Sequence, residues 1–165
     1  MSKYDKTMIT TAFTFSKQSY CNRLKVGAVL AKDGRILATG YNGTIAGMDN
    51  CCEHKCTICN GIGEIHIQDI DSFSIQTCTR CNGTGNITND LTLHAEQNLI
   101  TFCAKNGIPT YNTTMYITHA PCKQCSKLIA QSGVKEVVYA IEYRDVEGIE
   151  FLKKCSIKVR KENNA

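Results

Sequence analysis

Three metal-ligating side chains, His94, Cys122 and Cys125, stand at a spacing that few folds can serve. His94 is followed by Ala95 and Glu96, and Cys122 follows Pro121 and precedes Cys125 by three residues. One imidazole and two thiolates supply three zinc ligands, one short of a closed tetrahedral site. The carboxylate of Glu96 is left over as an acid/base beside the open position, which is the donor economy of a catalytic zinc rather than a structural one. A plain zinc knuckle would use the two cysteines but would need neither the proline nor a glutamate two residues past a histidine. Apolar periodicity puts each ligand at the start of a helix, one over 94–106 ending at Gly107, the other over 122–132 ending at Gly133. At such a position the positive helix end favours the thiolate form of Cys122 and Cys125, and Pro121 suits the approach to a helix because it has no amide hydrogen to leave unpaired.

The rest of the chain supplies a scaffold for those two helix ends. Residues 4–20 space Met8, Ile9, Ala12, Phe13 and Phe15 as one apolar face of a helix. Apolar runs at 26–31 and 35–40 flank a Lys32-Asp33-Gly34 turn and read as a β-hairpin. Strands are predicted over 114–118, 136–141 and 157–159, and a last helix over 147–154. Strands alternating with helices after an initial hairpin indicate a three-layer α/β domain with a central mixed sheet. At 165 residues the chain is read as a single domain over 1–165, with an insertion at about 48–90.

That insertion has a texture of its own. It carries a repeat, C-T-x-C-N-G-x-G, at 56–63 and again at 78–85. The spacing of Cys56, Cys59, Cys78 and Cys81 fits a four-cysteine structural zinc site, and the glycines let the backbone turn tightly enough for its amides to approach the sulfurs. Between the pairs, Ile65, Ile67, Phe73 and Ile75 alternate as in a hairpin. His54 and His66 lie near the knuckles as spare ligands.

Eleven cysteines would suggest disulfides in a secreted chain, but residues 1–6 show no secretory signal, so metal binding and a cytoplasmic location are expected. Cys103 and Cys155, in and just after predicted helices, read as core packing. No apolar run approaches the roughly 20 residues of a membrane span. The net charge is +4, with six acids against two bases in the insertion, so the remainder carries about +8. A basic body suits a phosphorylated small molecule, whereas an acidic insertion does not suit a polyanion, which argues against nucleic acid as a partner.

The arrangement H-x-E…P-C-x-x-C is the signature of zinc deaminases acting on cytosine or adenine. Together with Lys25-Val-Gly-Ala-Val-Leu30, Gly40-Tyr-Asn-Gly43, His94-Ala-Glu-Gln-Asn98 and Gly133-Val-Lys-Glu-Val-Val-Tyr139, it makes the chain resemble the deoxycytidylate (dCMP) deaminases, most of all those of tailed bacteriophages. The resemblance covers nearly everything except about 53–90. It implies a cytidine-deaminase-like fold and zinc-dependent hydrolysis of dCMP to dUMP and ammonia, with Glu96 moving the protons. It implies a homo-oligomer, commonly a hexamer, activated by dCTP and inhibited by dTTP with magnesium, in the host cytoplasm if phage-encoded. Gly40, Tyr41, Asn42 and Gly43 match the motif associated with the effector nucleotide, and Lys25, Asn42 and Tyr143 match positions associated with the substrate. Related phage proteins hold a further zinc with cysteines matching Cys21 and Cys51 plus a histidine and an acid. Here the acid's place is Thr92 and no matching histidine is found, so Cys21 and Cys51 stand as further candidate ligands, with Cys52 or His54 as alternative partners. His119-Ala120 also departs from the family pattern before P-C, and His119 reads as a loop histidine or as a further site group. The paired knuckles resemble the zinc modules of J-domain chaperones. Three other readings stay open: a dual dCMP/dCTP deaminase, a nucleic-acid deaminase gripping its strand with the knuckles, and a zinc-stapled interaction module without catalysis.

Overall fold

A computed structural model describes residues 3–70, 72–143 and 145–162. In chain order the elements are α1 (Asp5–Ser16), β1 (Gly27–Lys32), β2 (Arg35–Tyr41), β3 (Gly43–Thr44), β4 (Glu53–Lys55), β5 (Glu64–Gln68), β6 (Phe73–Thr77), β7 (Asn86–Thr88) and β8 (Thr92–Leu93). They continue with α2 (Ala95–Lys105), β9 (Thr114–His119), α3 (Lys123–Gln131), β10 (Glu136–Ile141), α4 (Glu147–Lys154) and β11 (Lys158–Lys161). Five strands form the central sheet in the order β11-β10-β9-β1-β2. β1 runs antiparallel to both β2 and β9, whereas β9, β10 and β11 are mutually parallel, so the sheet is mixed as expected.

The period-2 alternation of the strands sorts their side chains between two layers. Val29 and Ala31 of β1, Tyr116 of β9 and Val138 of β10 pack with Met8, Ile9 and Ala12 of α1. Ala28, Leu30, Met115, Ile117 and Val137 face the opposite way, onto Leu99 and Cys103 of α2, Ile129 of α3 and Leu152 of α4. The hairpin turn is at Asp33-Gly34, both at positive φ, the conformation that matches strand twist. Cys103 is core, as read from the sequence. Cys155 is not, because it caps the exposed end of α4.

The insertion is a nested hairpin mounted beside the sheet. β3 pairs with β8, then β4 with β7, and beyond them lie the two cysteine knuckles and the β5–β6 hairpin, all antiparallel. The knuckles are related by an internal two-fold. Cys56 N–H donates to Gly85 O and Cys78 N–H to Gly63 O, both at 2.8 Å. Asn60 and Asn82 each sit at φ 49°, and Gly63 and Gly85 at φ 88° and 72°. A side chain on Gly63 would strike the Gly83 carbonyl and one on Gly85 the Gly61 carbonyl, so the repeated N-G-x-G is what the crossing of two identical turns requires. His54 and His66 stand outside the four-sulfur group and both are exposed, His66 lying edge-on to Phe73.

Candidate active site

The first candidate metal-binding group sits where α2 and α3 begin. His94 is the N-cap of α2 and Cys122 the N-cap of α3, so the predicted helix starts bring the ligands together. His94 N–H donates to Gln97 Oε1 at 2.8 Å, and the backbone it anchors aims Nδ1 at the sulfurs. Nδ1 lies 3.3 Å from Cys125 Sγ and 3.6 Å from Cys122 Sγ, and the three ligand atoms lie within 4.8 Å of one another. A tetrahedral zinc with bonds of about 2.0 Å to nitrogen and 2.3 Å to sulfur has ligand–ligand edges of roughly 3.5–3.8 Å, so this set fits the ion.

Electrostatics agree. Hydrogen bonds with Cys125 and His94 pull the Cys122 thiol down to about 3, while the shared proton with Cys122, burial and the Glu96 charge push Cys125 far up. Hydrogen bonding to Cys122 raises His94, and burial raises Glu96, a residue only 4% exposed. Two thiols and a buried carboxyl crowded together call for a compact cation. Glu96 is held outside the ligand set, on the wall of a cavity also lined by Asn42, His94, His119, Cys122 and Tyr143.

A profile described as "Cytidine and deoxycytidylate deaminase zinc-binding region" matches residues 2–141. The chain belongs to this deaminase family. It is 37% identical over 153 residues to the deoxycytidylate deaminase of Enterobacteria phage T4, covering 83% of this chain and 77% of that protein. To the deoxycytidylate deaminase of Mycobacterium phage D29 it is 34% identical, over 84% of this chain and 95% of the relative. Among solved structures, the dCMP deaminase of cyanophage S-TIM5 in complex with dCMP and dUMP superposes with a TM-score of 0.75 at 36% identity, covering 98% of this chain and 99% of that one. As a zinc-binding deaminase the chain has a His/Cys cluster compatible with its metal. No helix among the described residues is long and apolar enough to cross a membrane.

The second group, Cys56, Cys59, Cys78 and Cys81, is wholly buried and its sulfurs also lie within 4.8 Å of one another. Cys56 and Cys78 are 3.8 Å apart and Cys59 and Cys81 3.6 Å, again the edges of a zinc tetrahedron. Gly63 N–H donates to Cys59 Sγ at 3.2 Å and Gly85 N–H to Cys81 Sγ at 3.3 Å, the amide support a thiolate cluster needs.

Other expectations for this deaminase need correction. Cys21 and Cys51 are not brought together as ligands. Cys21 is disulfide-bonded to Cys52, and Cys51 is exposed with its thiol 3.0 Å from the Glu53 carbonyl. Of the two neighbouring cysteines only Cys52 is buried. Lys25 does not line the substrate cavity, although Leu24 and Val26 on either side of it do. Among the described lining residues the one lysine or arginine is Arg23, which sequence reasoning missed. Asn42 does reach the cavity, but its amide also holds the neighbouring loop, accepting from Val26 N–H and donating to Leu24 O, both at 2.8 Å. Within the Gly40–Gly43 motif, Gly40 is buried under α2, where a Cβ would lie 2.7 Å from the Ala95 carbonyl oxygen, so its first role is close packing of the metal-bearing helix. Tyr143 lines the cavity. His119 lines it as well, with Nδ1 3.0 Å from Thr118 Oγ1, and burial lowers its pKa, so its ring is neutral at pH 7.

Proposed function

We propose that this protein hydrolyses dCMP to dUMP and ammonia, supplying dUMP for dTTP synthesis. The observation that carries the reading is the buried Glu96 carboxyl beside the His94, Cys122 and Cys125 cluster, in a cavity that also presents Arg23. Bound at His94, Cys122 and Cys125, zinc would supply the Lewis acidity that makes water nucleophilic near neutral pH. Glu96 takes a proton from the attacking water and delivers it to N3 of the cytosine as C4 is attacked; it then takes the second proton from the new C4 hydroxyl and passes it to the departing amine, so that the C4 carbonyl forms as the C4–N bond breaks and ammonia leaves. Burial raises its pKa, which suits a group that must both accept and release protons near pH 7. Arg23 provides the positive charge for the 5′-phosphate, while Asn42 and Tyr143, two of the three positions associated with the substrate, shape the walls. Cys56, Cys59, Cys78 and Cys81 hold a structural zinc that fixes the insertion.

The regulatory part of the reading rests on the Gly40–Gly43 motif and the relatives' family: activation by dCTP and inhibition by dTTP with magnesium, in a cytoplasmic homo-oligomer of six chains. One experiment tests the whole. Ammonia release is measured from dCMP, dCTP and single-stranded DNA, each with and without dTTP and magnesium. Turnover of dCMP that dTTP suppresses and dCTP restores supports the reading. Rates indifferent to dTTP reduce it to an unregulated deaminase, and turnover of DNA but not of dCMP replaces it.

A further inference from the structure

The insertion reaches the substrate cavity through its base. Cys52, just before β4, is disulfide-bonded to Cys21. The next residue, Glu53, accepts the backbone N–H of Asn22 at Oε2 and that of Arg23 at Oε1, both at 3.2 Å. Across the β4–β7 ladder Glu53 is the register partner of Thr88, and Thr88 Oγ1 accepts a 2.7 Å hydrogen bond from the Arg23 guanidinium. Residues 21–23 are thus stitched to the insertion by a covalent bond, a carboxylate clamp and a guanidinium–hydroxyl bond. Arg23, Glu53 and Thr88 all line the cavity that holds His94 and Glu96.

A carboxylate on the wall of a site for a phosphorylated ligand opposes binding unless it does something else. Both oxygens of Glu53 are committed to consecutive backbone amides, which fixes the Cα of Arg23, while Thr88 engages one of the five guanidinium donors and sets the direction of the fork. We infer that Glu53 and Thr88 are positioning residues which aim Arg23 at the substrate phosphate, so that the base of the inserted module sets recognition of the nucleotide. The inference rests on the dCMP reading above and gives the insertion a part in the active site.

Steady-state kinetics on dCMP, with metal content measured in parallel, decide it. The proteins are the wild type, Glu53→Gln, Thr88→Val, Arg23→Ala and the Arg23→Ala, Glu53→Gln double variant. Glu53→Gln is expected to raise KM roughly tenfold, and Thr88→Val about threefold, each with kcat within about twofold of wild type. Because Glu53 acts through Arg23, the double variant should be no worse than Arg23→Ala alone. Fully additive losses, or a fall in kcat at unchanged KM, overturn the inference. If Glu53→Gln loses zinc or its fold, Thr88→Val decides, and an unchanged KM there overturns the proposal. An active wild type whose KM is indifferent to Arg23→Ala also overturns it, whereas a wild type inactive on dCMP overturns the parent reading instead.

Discussion

The Glu96 carboxyl sits two residues from one metal-ligating side chain and in contact with the sulfur of another, yet outside the ligand set, and that separates two kinds of loss. Glu96→Ala is expected to lower kcat by roughly 10²–10⁴-fold while the catalytic zinc stays bound, since in the proposed mechanism the glutamate moves protons and it stands outside the His94, Cys122 and Cys125 group. Rates of ammonia release beside metal analysis check this, and loss of that zinc contradicts the role. Arg23 and Lys25 offer a second contrast. Arg23→Ala should raise KM for dCMP about 10–100-fold, and Lys25→Ala should change it by no more than about twofold, because only the first side chain lines the cavity. Isotherms of dUMP binding give the same comparison without turnover. The legibility of these residues in the sequence follows chain distance. His94, Glu96, Cys122 and Cys125 announce themselves through short spacings at helix starts. The partnership of Arg23 with Glu53 spans 30 residues and leaves no local mark, so the sequence points to Lys25 as a substrate-associated residue and not to Arg23.

At the scale of elements, helical periodicity and short apolar runs bounded by turns identified every helix and every strand of the central sheet. What escaped were β3, β4, β7 and β8, strands of two or three residues that are too short for any period and exist only because each pairs with the other arm of the insertion. The knuckles were legible through their repeat, and their two-fold explains why the repeat extends past the cysteines to the glycines. A Cys56→Ser, Cys59→Ser double variant is expected to lose one of two zinc equivalents and to melt at lower temperature, because metal binding there is folding free energy. Unchanged stoichiometry by metal analysis would mean that the four sulfurs hold no ion.

Across the whole molecule, the two ends of the described chain are tied through one buried charge. Asp5 at the start of α1 accepts from Tyr116 OH at 3.0 Å and from Arg160 of β11 at 2.9 Å, linking the outer helix to the middle and edge of the sheet. Asp5→Asn should cost about 3 kcal/mol in urea unfolding, since it removes one partner of a buried pair. Burial and then Asp5 hold the Tyr116 phenol above its ordinary pKa. The unfolded chain therefore releases that proton first, so the stabilisation is complete below a pH of about 10 and declines above it. Tyr116→Phe should flatten that alkaline decline of the urea midpoint. The nested hairpin carries a different consequence, one of ancestry. Lys55 and Asn86 face each other in register, so the chain leaves the host and returns to it across a single inter-strand gap of about 5 Å. A segment bounded in that way can be gained or lost by a gene without any strand of the central sheet changing neighbours, and closing so short a span costs little chain entropy. Joining Lys55 directly to Asn86 through Asn-Gly should give a shorter protein with one zinc per chain and with dCMP turnover retained, because Glu53 and Thr88 remain on the stub; metal analysis and initial rates check both. The module is then a graft whose rootstock, rather than its flower, lines the cavity.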